Sequence, residues 1–145
     1  MDVLTLEHAI IKKETSSLLS LADLLRHDGR DFDARVAKLL RFLEYHQEAE
    51  ERFLFPLLSE PADERFDELR HEHSRFLGSY DGLTDHTKGR KESDALELLT
   101  ELSTELNAHF SREEADIFPK ASEVLSAAQL DILKVKFASR KPFVL

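Results

Sequence analysis

The stretch HQEAEERFLFP, residues 46–56, returns in the second half of the chain as HFSREEADIFP, residues 109–119. Both copies follow the pattern HxxxEExxxFP, with a histidine, two glutamates, a phenylalanine and a proline in the same places. Side chains four residues apart lie on one face of an α-helix, so each histidine and the first glutamate after it point the same way. The repeat therefore predicts two helices that each carry a matched polar pair.

The composition limits the classes of protein and of site. With 145 residues, 34% charged and 41% hydrophobic, we expect one soluble globular domain over residues 1–145. The net charge of -9 disfavours nucleic acid and anionic membranes as partners. No apolar segment resembles a signal peptide or a membrane span, so we predict a cytoplasmic protein. The chain has no cysteine, so any metal must be held by nitrogen and oxygen atoms.

The few glycines and prolines predict helices throughout. His27-Asp28-Gly29, Glu60-Pro61 and Lys88-Gly89-Arg90 are the expected turns between four long helices. A short fifth helix is predicted from Ser126, where SAAQ fits a capping box, toward Phe137. The fold class predicted is all-α, an antiparallel up-down-up-down four-helix bundle with a short C-terminal fifth helix.

The repeated Phe-Pro pairs fall inside predicted helices. Proline lacks a backbone donor and crowds the preceding turn, at a cost of about 3 kcal/mol in a helix interior. The apolar period nevertheless continues past Pro56 to Leu57 and Leu58. We therefore expect a kinked or locally loosened helix at Pro56 and Pro119, and we expect Phe55 and Phe118 to be packing residues.

Each predicted long helix carries a histidine on its apolar stripe. At helical spacing the four stripes read Leu4, His8, Ile11, Thr15, Leu18, Ala22, Leu25; Leu39, Leu43, His46, Glu50, Phe53, Leu57; Phe66, Leu69, His73, Phe76, Tyr80, Leu83; and Leu99, Leu102, Leu106, His109, Glu113, Ile117. Two glutamates share these stripes with the histidines.

In an antiparallel bundle, two residues equally far from the turn between them lie at the same height. The midpoint of His8 and His46 is residue 27, inside the first predicted turn, and that of His73 and His109 is residue 91, directly after the third. Six buried polar groups are thus expected at one level: His8, His46, Glu50, His73, His109 and Glu113. Left unpaired, each would cost roughly 2–7 kcal/mol or more. Hydrogen-bonded His–Glu pairs are one solution, but metal ions such as iron, manganese or zinc suit the set better.

Several neighbouring residues are alternatives. His71 competes with His73, but it points about 200° away from it on a helix, off the stripe. Glu51 and Glu114 lie about 140° from the histidines of their motifs, which favours a solvated place or a place behind the ligands. Asp116 is left open as a spare ligand, a supporting acceptor or an exposed residue.

As a set, EH at 7–8, HQEAEERFLFP at 46–56, EH at 72–73 and HFSREEADIFP at 109–119 resemble the hemerythrin-like HHE cation-binding family. The resemblance implies a four-helix bundle with two iron ions, bridged by carboxylates and an oxo or hydroxo group. His8, His46, His73 and His109 would be terminal ligands, and Glu50 and Glu113 would be bridges. Leu77 stands where oxygen carriers of this family have a further histidine, which leaves an iron position open.

The leading hypothesis is a non-haem di-iron protein that binds O2, peroxide or NO for sensing, storage or detoxification. This favours a metal- and oxygen-binding protein over a dedicated enzyme, with oxidase- or peroxidase-like activity as an alternative. A redox-inert zinc or manganese module and a metal-gated regulatory domain are the other hypotheses. The expected partners are a small diatomic or peroxide ligand, with the chain a monomer or homodimer.

Overall fold

The computed structural model describes residues 2–24, 29–58, 64–84 and 92–143. Nearly all of these residues are helical, and no strand occurs in these ranges, which confirms the all-helical prediction. Gly29 of the first predicted turn is the first residue of a helix. The other residues of the three predicted turns lie outside the described residues.

The helices follow one another in a simple order. They are α1 (Asp2–Leu24), α2 (Gly29–Ala49), the π-helical turn π1 (Glu50–Leu54), α3 (Phe55–Leu58), α4 (Glu64–Thr84), α5 (Glu92–Arg112), the π-helical turn π2 (Glu113–Ile117), α6 (Phe118–Val124) and α7 (Ala127–Ala138). α1 packs against α2 and α5, and α4 packs against the same two helices. The four long segments therefore form a helical bundle.

The predicted fifth helix is confirmed as α7. Its N-cap is Ser126, whose hydroxyl accepts a hydrogen bond from the backbone N–H of Gln129, while the Gln129 side chain accepts one from the Ser126 N–H. This reciprocal capping box satisfies two backbone donors that a helix start leaves unpaired. Leu133 and Phe137 are buried and attach α7 to the bundle.

The helices continue through Pro56 and Pro119, as predicted, by way of a π-helical turn in front of each proline. The Phe55 N–H donates to the Glu50 carbonyl, and the Phe118 N–H donates to the Glu113 carbonyl, five residues back in each case. A proline offers no N–H to the carbonyl four residues before it and crowds that carbonyl. A turn with one extra residue accommodates both defects, which is why each Phe-Pro pair follows a widened turn.

The widened turn corrects one detail of the predicted stripes. Phe53 is half-buried and Leu57 is 39% exposed, whereas Leu54 and Leu58 are buried instead. One extra residue per turn moves the buried face forward by one position after Glu50. The other predicted stripe residues whose side chains are described are buried.

The apolar core consists of two clusters on either side of a polar layer. One cluster contains Ile11, Leu43, Phe76 and Leu106, among others, and the second contains Leu4, Leu54, Phe66 and Ile117, among others. On α1, His8 lies between Leu4 of the second cluster and Ile11 of the first. The polar side chains are therefore enclosed by apolar packing at both ends.

Candidate metal centre

The structure brings all six predicted site residues together in the polar layer. Their side chains are almost completely inaccessible to solvent, with relative exposures of 0% to 2% for His8, His46, Glu50, His73, His109 and Glu113. Two groups of potential ligand atoms form within this set. His8, His46, Glu50 and Glu113 make one group, and His73, His109 and Glu113 make the other, with atoms no more than 4.8 Å apart inside each group. Glu113 belongs to both groups, so the two candidate sites share one carboxylate.

Each glutamate lies between a histidine of its own helix and one from the other half of the chain. Oε1 of Glu50 is 2.8 Å from Nε2 of His46 and 3.7 Å from Nε2 of His73. Oε1 of Glu113 is 2.9 Å from Nε2 of His109 and 3.5 Å from Nε2 of His8. A carboxylate in such a place can share its two oxygens between neighbouring ions.

The outward nitrogen of each of the four histidines in the cluster faces a carboxylate of a different helix. Nδ1 of His46 is 3.0 Å from Glu7, and Nδ1 of His109 is 2.5 Å from Glu72. Each glutamate of an EH pair thus contacts the histidine of the HxxxEE motif that follows it. The carboxylates fix the orientation of the two imidazole rings and favour the hydrogen on Nδ1.

The second glutamates of the two motifs act across the halves of the chain. Oε1 of Glu51 is 3.1 Å from Nδ1 of His73, and Oε1 of Glu114 is 3.3 Å from Nδ1 of His8. This is the predicted place behind the ligands. The π-helical turns explain how these glutamates reach it, because a wider turn rotates them back toward the bundle.

With Nδ1 of each histidine directed at a carboxylate, the four Nε2 atoms point into the shared interior. Nε2 of His73 and Nε2 of His109 lie only 3.1 Å apart. Two nitrogen lone pairs at that distance repel each other unless a proton or a cation lies between them. The interior also contains both carboxylates, so it requires positive charge.

Six of the interior atoms have no hydrogen-bond partner among the described residues. These atoms are Nε2 of His8, Nε2 of His46 and both side-chain oxygens of Glu50 and Glu113. Although His46 and Glu50 approach to 2.8 Å, their contact lacks the geometry of a hydrogen bond. Two ligands about 2.1 Å from one ion would lie about 3–3.5 Å apart, which matches the spacing of these donors. The residues therefore fit a metal centre held by imidazole and carboxylate.

Protons supply some of the required charge when no cation is bound. Burial disfavours the charged form of His46, but the adjacent Glu50 carboxylate outweighs it and raises the pKa of His46 to about 10. Burial also opposes ionisation of Glu50, yet His46 lowers the pKa of Glu50 to about 2. For His8, burial dominates and lowers the pKa to about 4. A metal cation would thus replace the proton on His46 and find His8 already neutral.

Two arginines bind the carboxylates of Glu7 and Glu72 on the side away from the histidines. Nη2 of Arg140 donates to Oε2 of Glu7 at 2.9 Å, and Nη2 of Arg112 donates to both oxygens of Glu72. Burial raises the pKa of Glu7, but its hydrogen bonds to His46 and Arg140 outweigh this and leave that pKa lowered. Each carboxylate is therefore ionised and able to accept from its histidine.

Aromatic rings close the layer. Phe110 and Phe118 stack on the imidazole of His8 at centroid distances of 4.0 and 5.4 Å, and Phe55 stacks on His73 at 5.9 Å. The phenylalanines of the Phe-Pro pairs, predicted as packing residues, are therefore buried against histidines of the cluster. This packing excludes water and strengthens the electrostatic interactions inside.

The remaining candidates lie elsewhere. His71 and Asp116 are exposed and belong to neither group, and Leu77 packs against the first apolar cluster. Sequence reasoning did not assign roles to Glu7, Glu72, Arg112 or Arg140. The doubled EH pair was a signal for the two glutamates, since both copies place an acid directly before a buried histidine.

Comparison with known proteins agrees with this geometry. A family model described as the hemerythrin HHE cation binding domain matches residues 1–121, which span every residue of the cluster and end before α7. Comparisons with curated proteins and with solved structures give no match. Among the described helices, none is both long and apolar enough to cross a membrane.

Proposed function

Because the chain belongs to the hemerythrin HHE cation-binding domain family, we propose that its buried cluster holds a pair of iron ions and that the protein binds O2, peroxide or NO. The observation that carries this proposal is the placement of Glu50 and Glu113, each between histidines of two different helices. A single ion would need only one group of ligands. Two groups of candidate ligands that share one carboxylate favour a pair of ions.

The roles follow from the distances. His8 and His46 would hold one ion, and His73 and His109 would hold the other. Glu50 and Glu113 would bridge them, since each contacts a histidine from both groups. When bound, the irons would supply an open coordination position and electrons for the small molecule.

The protein's own contribution is orientation and exclusion of water. Glu7, Glu51, Glu72 and Glu114 keep Nδ1 of each histidine engaged, so that Nε2 stays available inside. The side chain of Leu77 offers no further ligand. Six protein ligands for two ions would leave coordination positions free, which favours sensing, storage or detoxification of the small molecule over a fully saturated, inert site.

The proposed architecture is a single domain with an antiparallel up-down-up-down bundle. The order in which the helices pass the two apolar clusters supports it. α1 runs from Leu4 in the second cluster to Ile11 in the first, and α4 likewise runs from Phe66 to Phe76. α2 and α5 contribute to the first cluster before their continuations reach the second.

A redox-inert centre that holds zinc or manganese is the second candidate. Imidazole and carboxylate ligands suit these ions as well as iron. A metal-gated regulatory domain is the third, and the contact between Arg140, just after α7, and Glu7 favours it. That contact lies one residue from a candidate ligand and would respond to movement of His46.

Elemental analysis and absorption spectroscopy test the proposal together. Protein produced with iron should contain about two irons per chain, and exposure of the reduced protein to air should produce near-ultraviolet bands that a zinc centre lacks. The double variant Glu50→Ala/Glu113→Ala should lose the metal. The matched variant Glu44→Ala/Glu101→Ala, which removes two exposed acids from α2 and α5, the helices that lead into π1 and π2, should keep the metal. Iron-free protein, or a double variant that still holds two irons, would refute the proposal.

A further inference from the structure

A second cavity lies on the surface, apart from the buried cluster. It has a volume of about 360 Å³ and lies between the end of α2 with π1 and the C-terminal end of α7. Its charged lining consists of four cationic side chains and one acid: Arg52, Lys136, Arg140, Lys141 and Glu48. Such a concentration of positive charge contrasts with the net charge of -9 for the whole chain.

The charges of this pocket are only partly neutralised by the protein. Glu48 accepts a hydrogen bond from Arg52 at 3.1 Å, and Glu7, which lies outside the lining, pairs with Arg140, so both arginines are neutralised. Within the described part of the chain, neither Lys136 nor Lys141 forms an ion pair. Both lysines are exposed to solvent. The pocket therefore has a surplus of positive charge and unengaged N–H donors.

One wall of the pocket is held rigidly. The guanidinium of Arg140 lies 4.3 Å from the centroid of the Tyr45 ring, donates to the Phe137 carbonyl and contacts Glu7. A fixed guanidinium loses little freedom when it binds an anion, because its orientation is already set. Lys136 adds a second cation against this wall, with its Nζ 5.7 Å from the Phe53 ring centroid.

We propose that this pocket binds a small molecule through a phosphate group. A doubly charged oxyanion can accept hydrogen bonds from several lysine and arginine donors at once, and such charge-assisted bonds are about twice as strong as neutral ones. The volume is sufficient for a phosphate with a small organic group attached. Metal ions, by contrast, would be repelled by Lys136 and Lys141, the two cations of the lining without an acidic partner among the described residues.

The pocket adjoins the buried cluster through one side chain. Arg140 forms part of its lining and also binds Glu7, which in turn orients His46. A phosphate in the pocket would approach the guanidinium that holds this outer carboxylate. The site lies outside the matched family region in part, because Lys136, Arg140 and Lys141 follow residue 121.

Isothermal titration of the metal-loaded protein tests the proposal, with inorganic phosphate, pyrophosphate and glycerol phosphate as probes. We expect one binding site per chain. The variant Lys136→Ala/Lys141→Ala should weaken binding about tenfold or more, because two charge-assisted contacts are lost. The control variant Lys13→Ala/Lys134→Ala removes two exposed lysines outside the pocket and should bind as the unmodified protein does.

Comparison of the two double variants also distinguishes phosphate binding in the pocket from phosphate binding to the metal ions. Phosphate that coordinates the ions would bind equally well to both double variants, and that result would refute the proposal. Failure of all three probes to bind at millimolar concentration would refute it too. Tighter binding of glycerol phosphate than of inorganic phosphate would identify an organic phosphate as the source, and the reverse order would identify the free ion. All four exchanged lysines are exposed, and circular dichroism verifies that each variant is folded.

Discussion

The carboxylate of Glu7 lies 3.0 Å from Nδ1 of His46, although the two residues belong to different helices. The contact is buried, with side-chain exposures of 9% and 0%. Glu7 thereby sets the ring orientation of a candidate ligand without entering the cluster itself. Glu72 and His109 repeat the same relationship in the second half of the chain.

Removal of Glu7 should therefore weaken metal binding. We expect Glu7→Ala to lower the affinity for the metal about 10–100-fold, the usual effect of losing a residue that orients a ligand. Competition with a coloured chelator measures the affinity. Glu44→Ala, an exposed change on α2, should leave it unchanged. An affinity of Glu7→Ala within twofold of the unmodified protein would contradict this role.

Glu51 and Glu114, the second glutamates of the two motifs, should each affect a different one of the two proposed ions. Glu114 contacts His8 of the first ligand group, and Glu51 contacts His73 of the second. We expect either single alanine variant to weaken one ion more than the other, which would split the metal titration into two phases. The double variant should weaken both ions and restore a single phase. Equal weakening of both ions by each single change would argue against this division.

Arg140 should stabilise the protein by way of Glu7. Arg140→Ala leaves the nearly buried Glu7 carboxylate without its guanidinium partner and removes the contact with Tyr45, so the free energy of unfolding should fall by about 2–3 kcal/mol. Urea unfolding of the metal-free protein measures the loss. Lys141→Ala is the control and should have little effect. Arg140→Lys should fall between the two, because lysine keeps the charge but not the planar fork.

The proline after each widened turn should matter for the site more than for the fold. Pro56→Ala restores a backbone donor and permits a regular α-helix, which would rotate Glu51 away from His73. We expect unchanged helix content by circular dichroism and a lower metal affinity. Pro142→Ala, in the exposed segment after α7, tests for a general effect of losing a proline. An unaltered metal affinity in Pro56→Ala would show that the π-helical turn does not contribute to metal binding.

Metal binding should release protons. The raised pKa of His46, about 10, means that this side chain is charged at neutral pH in the metal-free protein and must lose its proton to a cation. Zinc titrations in buffers of different ionisation enthalpy should report this release, and the affinity should fall as the pH is lowered. A buffer-independent binding enthalpy would contradict the expectation.

The same proton gives the metal-free protein a defined pH dependence. A raised pKa stabilises the folded state fully below the ordinary value of 6.5, and this stabilisation is lost as the pH rises through about 10. Urea unfolding of the metal-free protein should therefore show falling stability on the alkaline side. In the metal-loaded protein the cation replaces the proton, so this decline should be absent.

The helical fold and the burial of the six central residues could be predicted because both depend on regular periodicity. His73 was separable from His71 by helical angle alone, and the Ser126 capping box marked the start of α7. The shift of the buried positions from Phe53 and Leu57 to Leu54 and Leu58 could not be predicted in this way. A constant 3.6-residue period contains no information about a widened turn.

The roles of Glu7 and Arg140, which lie behind the candidate ligands, could not be predicted for a different reason. Glu7 directly precedes His8 and so lies about 100° from it around the helix, off the apolar stripe. Its partner, His46, is brought near by packing between α1 and α2, which periodicity within one helix does not describe. The role of Arg140 could not be predicted either, because this residue follows α7, which the repeated motif does not include.

The exchange of Glu51 and Glu114 between the two halves of the chain has a consequence for assembly. His8 and His73 each depend on a carboxylate that the opposite half provides. Neither half of the chain alone supplies all the residues around its own histidines. Separation of the halves would therefore disrupt both proposed ion sites at once. If the proposed ions are bound, their release and the loss of tertiary structure should therefore occur together, as one cooperative transition.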